Sequence, residues 1–404
     1  MSAPRILFIW DDIGQYGGVR TFLLNCLNDL PHIGFEVALF DLADKPVEID
    51  EEVQGLASMI QPLRRSRMDS ERSLQRHLHQ AIRAFDPGLL VFVEWRHAED
   101  VLACVPKSLP AINFCLVDRP DQTYYDYAKA LVSRMELILG NSYRITRRLR
   151  ETLDETWHPR IGELFIGVQV PENWSLEVMR GGRMRLVYMS RLNREQKRAQ
   201  DLIPFVQAME ASKIPYELVI VGQGDVYEAV ATALAAAIEQ GRVVMTGSLP
   251  YPEAMQHFVG SDVFLLFSEY EGMPLVLFHA LADGVVPVVS AVPSGVEEVI
   301  RHDENGLLFP VGDAARAAAE VVALYQEPAR LARLKTEARR QGEQHSIQVT
   351  LAEFRKIVQG LFGTFPGPVD WSRYRLPGNP GKTWKARLAW YVPGCILNHL
   401  RRGS

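Results

Sequence analysis

Between Asp262 and Val289 the chain alternates two short apolar runs with a polar turn and a helix bounded by proline and glycine. The run Val263-Phe-Leu-Leu-Phe267 is unbroken, as a strand buried on both faces of a parallel sheet requires. Ser268 to Gly272 reads as a turn, and Pro274 suits the first turn of a helix, where its missing N–H costs nothing. The pattern predicts a helix from about Leu275 to Asp283, stopped by Gly284, and a second strand over Val285 to Val289. This β-turn-α-β unit implies an open parallel α/β sheet, in which ligands lie beyond the carboxyl ends of the strands. Glu271 falls there, beside a helix N-terminus. A carboxylate at that place can accept hydrogen bonds from hydroxyl groups, and free helix N–H groups can hold a phosphate.

The same grammar recurs along the chain. Arg5 to Trp10 and Phe35 to Phe40 read as strands around a helix over Val19 to Leu30, with Gly17-Gly18 just before that helix. Glycines there let the backbone approach a ligand closely, although a Gly-Gly by itself reads first as a plain turn. Leu89 to Val93, Ala111 to Val117 and Leu137 to Ser142 read as further strands, with Ser142 as cap of a helix over Tyr143 to Leu153. Polar groups follow two of them: Glu94 to His97, and Asp118-Arg119. Leu164 to Val168 is expected as the last strand of a first domain, and Gln169 to Arg183 as a linker. A second domain opens with a strand over Met184 to Ser190, followed by Arg191 and Lys197. Tyr216 to Gly224 and Arg242 to Leu249 are strands ending in glycine turns, with a short helix over Pro252 to Phe258. Asn305-Gly306 is a tight turn before Leu307 to Phe309. Ala314 to Gly342 is expected as helix, and Ser346 to Leu361 as the last one.

Several of these residues resemble one family. Glu271-Gly-Met-Pro-Leu-Val-Leu-Phe-His-Ala280, with Arg191, Lys197 and the Val221-Gly-Gln-Gly224 turn, is similar to the signature of the retaining glycosyltransferases of family 4, the glycosyl transferases group 1. The resemblance covers most of residues 5–362 and is most specific over 184–313. It implies a GT-B fold: two facing Rossmann-like domains with a nucleotide sugar between them. The implied boundaries are an acceptor domain over 1–168, a linker over 169–183, a nucleotide-sugar domain over 184–345, a crossover helix over 346–362 and a tail over 363–404. Residue by residue, Glu271 matches the acid that contacts the donor sugar, and Arg191 and Lys197 the cations that hold the diphosphate. Fixed cations stabilise the charge that develops on a leaving phosphate. Gly17 and Gly18 match a Gly-Gly facing the donor phosphates, and Arg20 stands beside them. Gly222, Gly247, Ser248 and Leu249 match the turns around the nucleotide. Gly272, Met273, Pro274, Leu275 and Val276 continue the donor loop, and Ser294-Gly295 matches a helix start that lines it.

Two positions depart from the family pattern. The second glutamate, eight positions after Glu271, is His279 here. An imidazole offers a ribose one hydrogen bond where a carboxylate offers two, and in an apolar helix a packed core histidine is an equal reading. Asp118 stands where the family often has a histidine near the reacting sugar; a positioning role and a helix cap are both open. No Asp-x-Asp motif lies in a suitable loop, so the reading requires neither metal nor cofactor. The alternatives are a non-catalytic GT-B protein that binds a nucleotide sugar or glycan, and a dinucleotide oxidoreductase. The oxidoreductase needs a Gly-x-Gly-x-x-Gly triplet that residues 11–18 lack.

Composition narrows the partners. For 404 residues a size prior gives roughly two to three domains. A net charge of −5 is mild and gives no argument for nucleic acid as a partner. Four scattered cysteines, Cys26, Cys104, Cys115 and Cys395, fit a reducing cytoplasm, and neither a signal peptide nor an eighteen-residue apolar run is apparent. Arg64, Arg65, Arg67, Arg72 and Arg76 lie in a basic helical stretch over 64–85, read as a solvated face or as a contact for an anionic acceptor or membrane. The implied partners are a nucleotide sugar and a glycan or lipid-linked acceptor. The tail sets Arg373, Arg375, Lys382, Lys385, Arg387, Arg401 and Arg402 against one acid, Asp370, with Trp371, Trp384, Trp390, Tyr374 and Tyr391 interleaved. Residues 371–402 therefore fit a membrane interface, or they wrap the first domain, which the reading favours slightly.

Overall fold

In the computed structural model, the described residues are 3–11, 13, 18–43, 51–63, 71–116, 118, 123–364, 369–372, 374 and 376. They form two parallel sheets. The first holds β1 (Arg5–Trp10), β2 (Glu36–Asp41), β3 (Ile60–Pro62), β4 (Leu89–Val93), β5 (Ala111–Cys115), β6 (Leu137–Gly140) and β7 (Ile161–Glu163), in the order β3-β2-β1-β4-β5-β6-β7. The second holds β8 (Met184–Met189), β9 (Tyr216–Val221), β10 (Val243–Gly247), β11 (Val263–Leu266), β12 (Val286–Ser290) and β13 (Leu307–Phe309), in the order β10-β9-β8-β11-β12-β13. Both orders reverse beside the opening strand, as doubly wound sheets do.

Strands bury both faces. In β1, Ile6 and Phe8 enter one apolar cluster and Leu7 and Ile9 the opposite one. The Ile347–Thr364 helix belongs to the first domain's core although it follows the second domain in the chain. Its Phe354 ring lies 6.1 Å from Phe8, 5.9 Å from Phe22 and 5.6 Å from Phe114. The crossing is tight: a Cβ on Gly167 would sit 2.3 Å from His345 O.

Two stretches differ from the sequence expectation. Residues 164–168 are not a strand; the last strand of the first sheet is β7, and 164–168 runs alongside the returning chain through a single bridge, Val168 to Ser346. The expected helix over 314–342 is two, Ala314–Gln326 and Pro328–Gln344, because Pro328 cannot continue the first and opens the second. The start of the tail lies on the first domain. Trp371 Nε1 donates to Asp86 Oδ1 at 2.6 Å, Tyr374 Oη donates to Ala103 O, and Val369, Trp371 and Leu376 pack on the apolar cluster. Trp384, Trp390, Tyr391, Cys395 and the basic residues after 376, with Arg64, Arg65, Arg67, Arg119, Arg373, Arg375 and Gly17, lie outside the described residues. Among the described residues no helix is long and apolar enough to cross a membrane.

Candidate active site

All six strands of the second sheet are parallel, so their following loops gather at one edge. Backbone bonds tie these loops together. Ser190 N–H donates to Val221 O at 3.1 Å, Glu269 N–H to Gln196 O at 2.8 Å, and Gly295 N–H to Gly272 O at 2.8 Å. Gly222 makes the first closure feasible: its φ is +138°, and a Cβ there would stand 2.0 Å from Ser190 O. Gly247 also has positive φ, and Ser248 and Leu249 follow it toward the Tyr251–Gln256 helix.

Glu271 sits at the centre of this edge, 6 % exposed. Lys197 Nζ and Ser268 Oγ both donate to its Oε1, each at 2.5 Å. Lys197 itself is 9 % exposed. Ser268 is held in turn, because Ser290 Oγ donates to its carbonyl at 2.7 Å. Asn193 Oδ1 accepts from Lys197 N–H at 2.8 Å, and Gln196 Oε1 accepts from Arg191 Nη2 at 3.1 Å. Lys197 and Glu271 thus pair directly, while Arg191, exposed, is tied to the same loop through Gln196. A buried ion pair is a poor source of stability, because desolvation offsets its attraction. Its place at the carboxyl edge of a parallel sheet therefore points to ligand chemistry. Burial and the Glu271 charge also raise the hydroxyl of Tyr188 far above its ordinary range. Among the described residues Glu271 Oε2 accepts no protein hydrogen bond.

Gly272, Met273 and Pro274 carry the chain from Glu271 into the Leu275–Ala282 helix, where Leu275 and Val276 form the first turn. Leu275 packs against apolar clusters of both domains. His279 lies on that helix, 6 % exposed. Its Nε2 is 3.1 Å from Tyr251 Oη, and Phe258 stacks at 6.5 Å. Burial lowers its pKa to about 4, so the imidazole is neutral at pH 7. The imidazole is thus packed against Tyr251 and Phe258.

On the first domain, Gly18 opens the Gly18–Asp29 helix and Arg20 is 2 % exposed. Asp118 lies beyond β5. Its Oδ2 accepts from Arg144 Nε at 2.5 Å, while Oδ1 accepts from Arg148 Nη1 and from Tyr125 Oη at 2.8 Å. The carboxylate is thus clamped between two guanidiniums near the start of the Tyr143–Thr152 helix. That helix follows the carboxyl end of β6, and the Gly295–Val299 helix follows that of β12. Glu298 of the second joins the N-terminus of the first, so the two carboxyl edges meet.

Sequence reasoning missed Ser268, Ser290, Asn193, Gln196 and Tyr251. Ser268 was within reach, since it ends the apolar run three residues before Glu271.

Residues 177–341 match the family described as glycosyl transferases group 1. Amylovoran biosynthesis glycosyltransferase AmsK of Erwinia amylovora is 35 % identical over 148 residues, 34 % of this chain and 36 % of AmsK. Lipopolysaccharide 1,6-galactosyltransferase of Escherichia coli is 30 % identical over 132 residues, 32 % of this chain and 36 % of that enzyme. These matches span about a third of each relative's own length. Among solved structures, Anabaena Alr3699/HepE in complex with UDP and glucose superposes with a TM-score of 0.71 at 15 % identity, over 88 % of this chain and 100 % of HepE. The fold is GT-B. Every strand of the GT-B second sheet lies inside the matched family segment.

Proposed function

We propose that this chain is a retaining glycosyltransferase. It moves a sugar from a nucleotide-sugar donor to a glycan or lipid-linked acceptor in the synthesis of cell-surface polysaccharide or glycolipid. One observation carries the reading: Lys197 and Ser268 hold a single oxygen of the buried Glu271, which keeps Oε2 for a ligand hydroxyl. Lys197 and Arg191 face the diphosphate, where Lys197 supplies a point charge and Arg191 a two-pronged donor. Negative charge grows on the leaving phosphate as the sugar–oxygen bond breaks, and fixed cations favour that state over the ground state. The acceptor lies over the first domain, near Gly18 and the Asp118 cluster. The buried thiols Cys26, Cys104 and Cys115 support a reducing, cytoplasmic setting. The basic, aromatic sequence of residues 371–402 supports a peripheral membrane contact beside a lipid-linked acceptor. No metal enters this scheme.

A second reading has one observation in its favour. His279 is neutral and engaged with Tyr251, so the helix offers no second carboxylate. On that reading the chain binds a nucleotide sugar without turning it over. A panel of nucleotide sugars scored by thermal shift comes first: a true donor at about 100 times its Kd stabilises the fold by about 2.7 kcal/mol. Release of nucleoside diphosphate from that donor with acceptor extracts, lost in Glu271→Gln, supports transfer. Binding with no release in any extract leaves the second reading.

A further inference from the structure

One polar contact between the two sheets is used by neither the donor loop nor the Asp118 cluster. Glu298 projects from the Gly295–Val299 helix of the second domain. Its Oε2 accepts from Tyr143 N–H at 2.9 Å and its Oε1 from Arg144 N–H at 2.7 Å. These are the first two residues of the Tyr143–Thr152 helix, whose cap Ser142 takes the Ile145 N–H at 3.2 Å. First-turn N–H groups have no partner within their own helix and carry partial positive charge. Here a carboxylate from the other domain satisfies two of them.

The contact continues in both directions. Arg144 gives its backbone N–H to Glu298 and its guanidinium to Asp118. On the other side, Gly295 N–H donates to Gly272 O at 2.8 Å, and a Cβ on Gly295 would stand 2.5 Å from Met273 Cε. Gly272 is the residue after Glu271. A chain of direct contacts therefore runs from the loop of Glu271 through Glu298 and Arg144 to Asp118. Two helices and one carboxylate cover the distance between the domains.

We propose that Glu298 is a positioning residue for sugar transfer, fixing the register of the donor loop against the Asp118 end of the first domain. The consequence for transfer rests on the glycosyltransferase reading; the contact itself does not. Burial raises the Glu298 carboxyl, and the two N–H bonds only partly offset that cost.

The test uses the full chain with Glu298→Ala and Glu298→Gln, and Glu297→Ala as control, since Glu297 is its exposed neighbour. Amide exchange at Tyr143 and Arg144 is expected to speed up roughly tenfold or more in Glu298→Ala, as loss of hydrogen bonds to a charged acceptor implies. Glu298→Gln, with one accepting oxygen, falls between. X-ray scattering of Glu298→Ala shows a larger radius of gyration than the control. Affinity for the nucleotide sugar picked out by thermal shift, measured by calorimetry, stays within about twofold of wild type. With the donor identified by thermal shift, kcat falls about tenfold while donor KM holds. Exchange and scattering equal to the control overturn the contact. Exchange that moves with kcat unchanged overturns the positioning role. If wild type turns over no nucleotide sugar, the transferase reading falls and the contact is still judged by exchange and scattering. If Glu298→Ala does not fold, Glu298→Gln carries the same readouts.

Discussion

Acidification should unfold this protein partly through a single imidazole. His279 is buried among Tyr251, Phe258 and the helix that carries it, and its pKa is pushed from 6.5 to about 4 by loss of solvent. In the unfolded chain the ordinary value returns. At pH 7.5 both states are neutral and the residue contributes no pH dependence. Between pH 6.5 and 4 the unfolded chain binds a proton that the folded chain refuses, so stability falls as pH falls through that window. The gap of roughly 2.5 units corresponds to about 3 kcal/mol. His279→Gln removes the proton site and keeps a side chain able to bond Tyr251. Urea unfolding of both proteins, followed by tryptophan fluorescence at steps from pH 7.5 to 4, isolates the term as a difference. Other titrating groups cancel in it, including Asp283, raised to about 6 by burial, and His345, lowered by burial. The variant should lose about 3 kcal/mol less than wild type over that range. Equal slopes, or a His279 NMR titration midpoint near 6.5, would refute the argument.

Two further outcomes concern the same edge of the second sheet. Lys197→Met leaves Glu271 buried with only Ser268 on its Oε1, and urea unfolding should show a loss of about 3 kcal/mol that Lys197→Met/Glu271→Gln largely restores; additive losses would sink the coupling. Gly222→Ala combines φ of +138° with a backbone clash on Ser190 O, so its urea midpoint should reflect a loss of at least about 3 kcal/mol.

How far the sequence carried this picture can be judged at single residues. The unit around β11 was legible to within a residue or so, because an unbroken apolar run, Pro274 and Gly284 each act locally. The stretch 164–168 misled: it is apolar because it lies against the returning chain, with Gly167 pressed on His345, and not because it pairs in a sheet. The true last strand, Ile161–Glu163, is short and has a glycine at its centre, so it lacks an apolar run to announce it. In the site, position after a strand singled out Glu271, and the family resemblance added Lys197 and Arg191. Asp118 was noticed, but its clamp was not, since Arg144 and Arg148 lie 26 and 30 residues away. The Glu298 contact spans 155 residues to Tyr143, and no local pattern encodes a pairing at that range.

The placement of Phe354 has a consequence for how the polypeptide is made. Phe8, Phe22 and Phe114 await a ring that leaves the ribosome after the whole of the second sheet. Domains ordinarily fold in the order of their translation. Here the leading half must stay unfinished, with a sticky furrow open, while the trailing half is already complete. The first-made domain therefore closes only after the second sheet has been translated, and chaperone demand should persist until then.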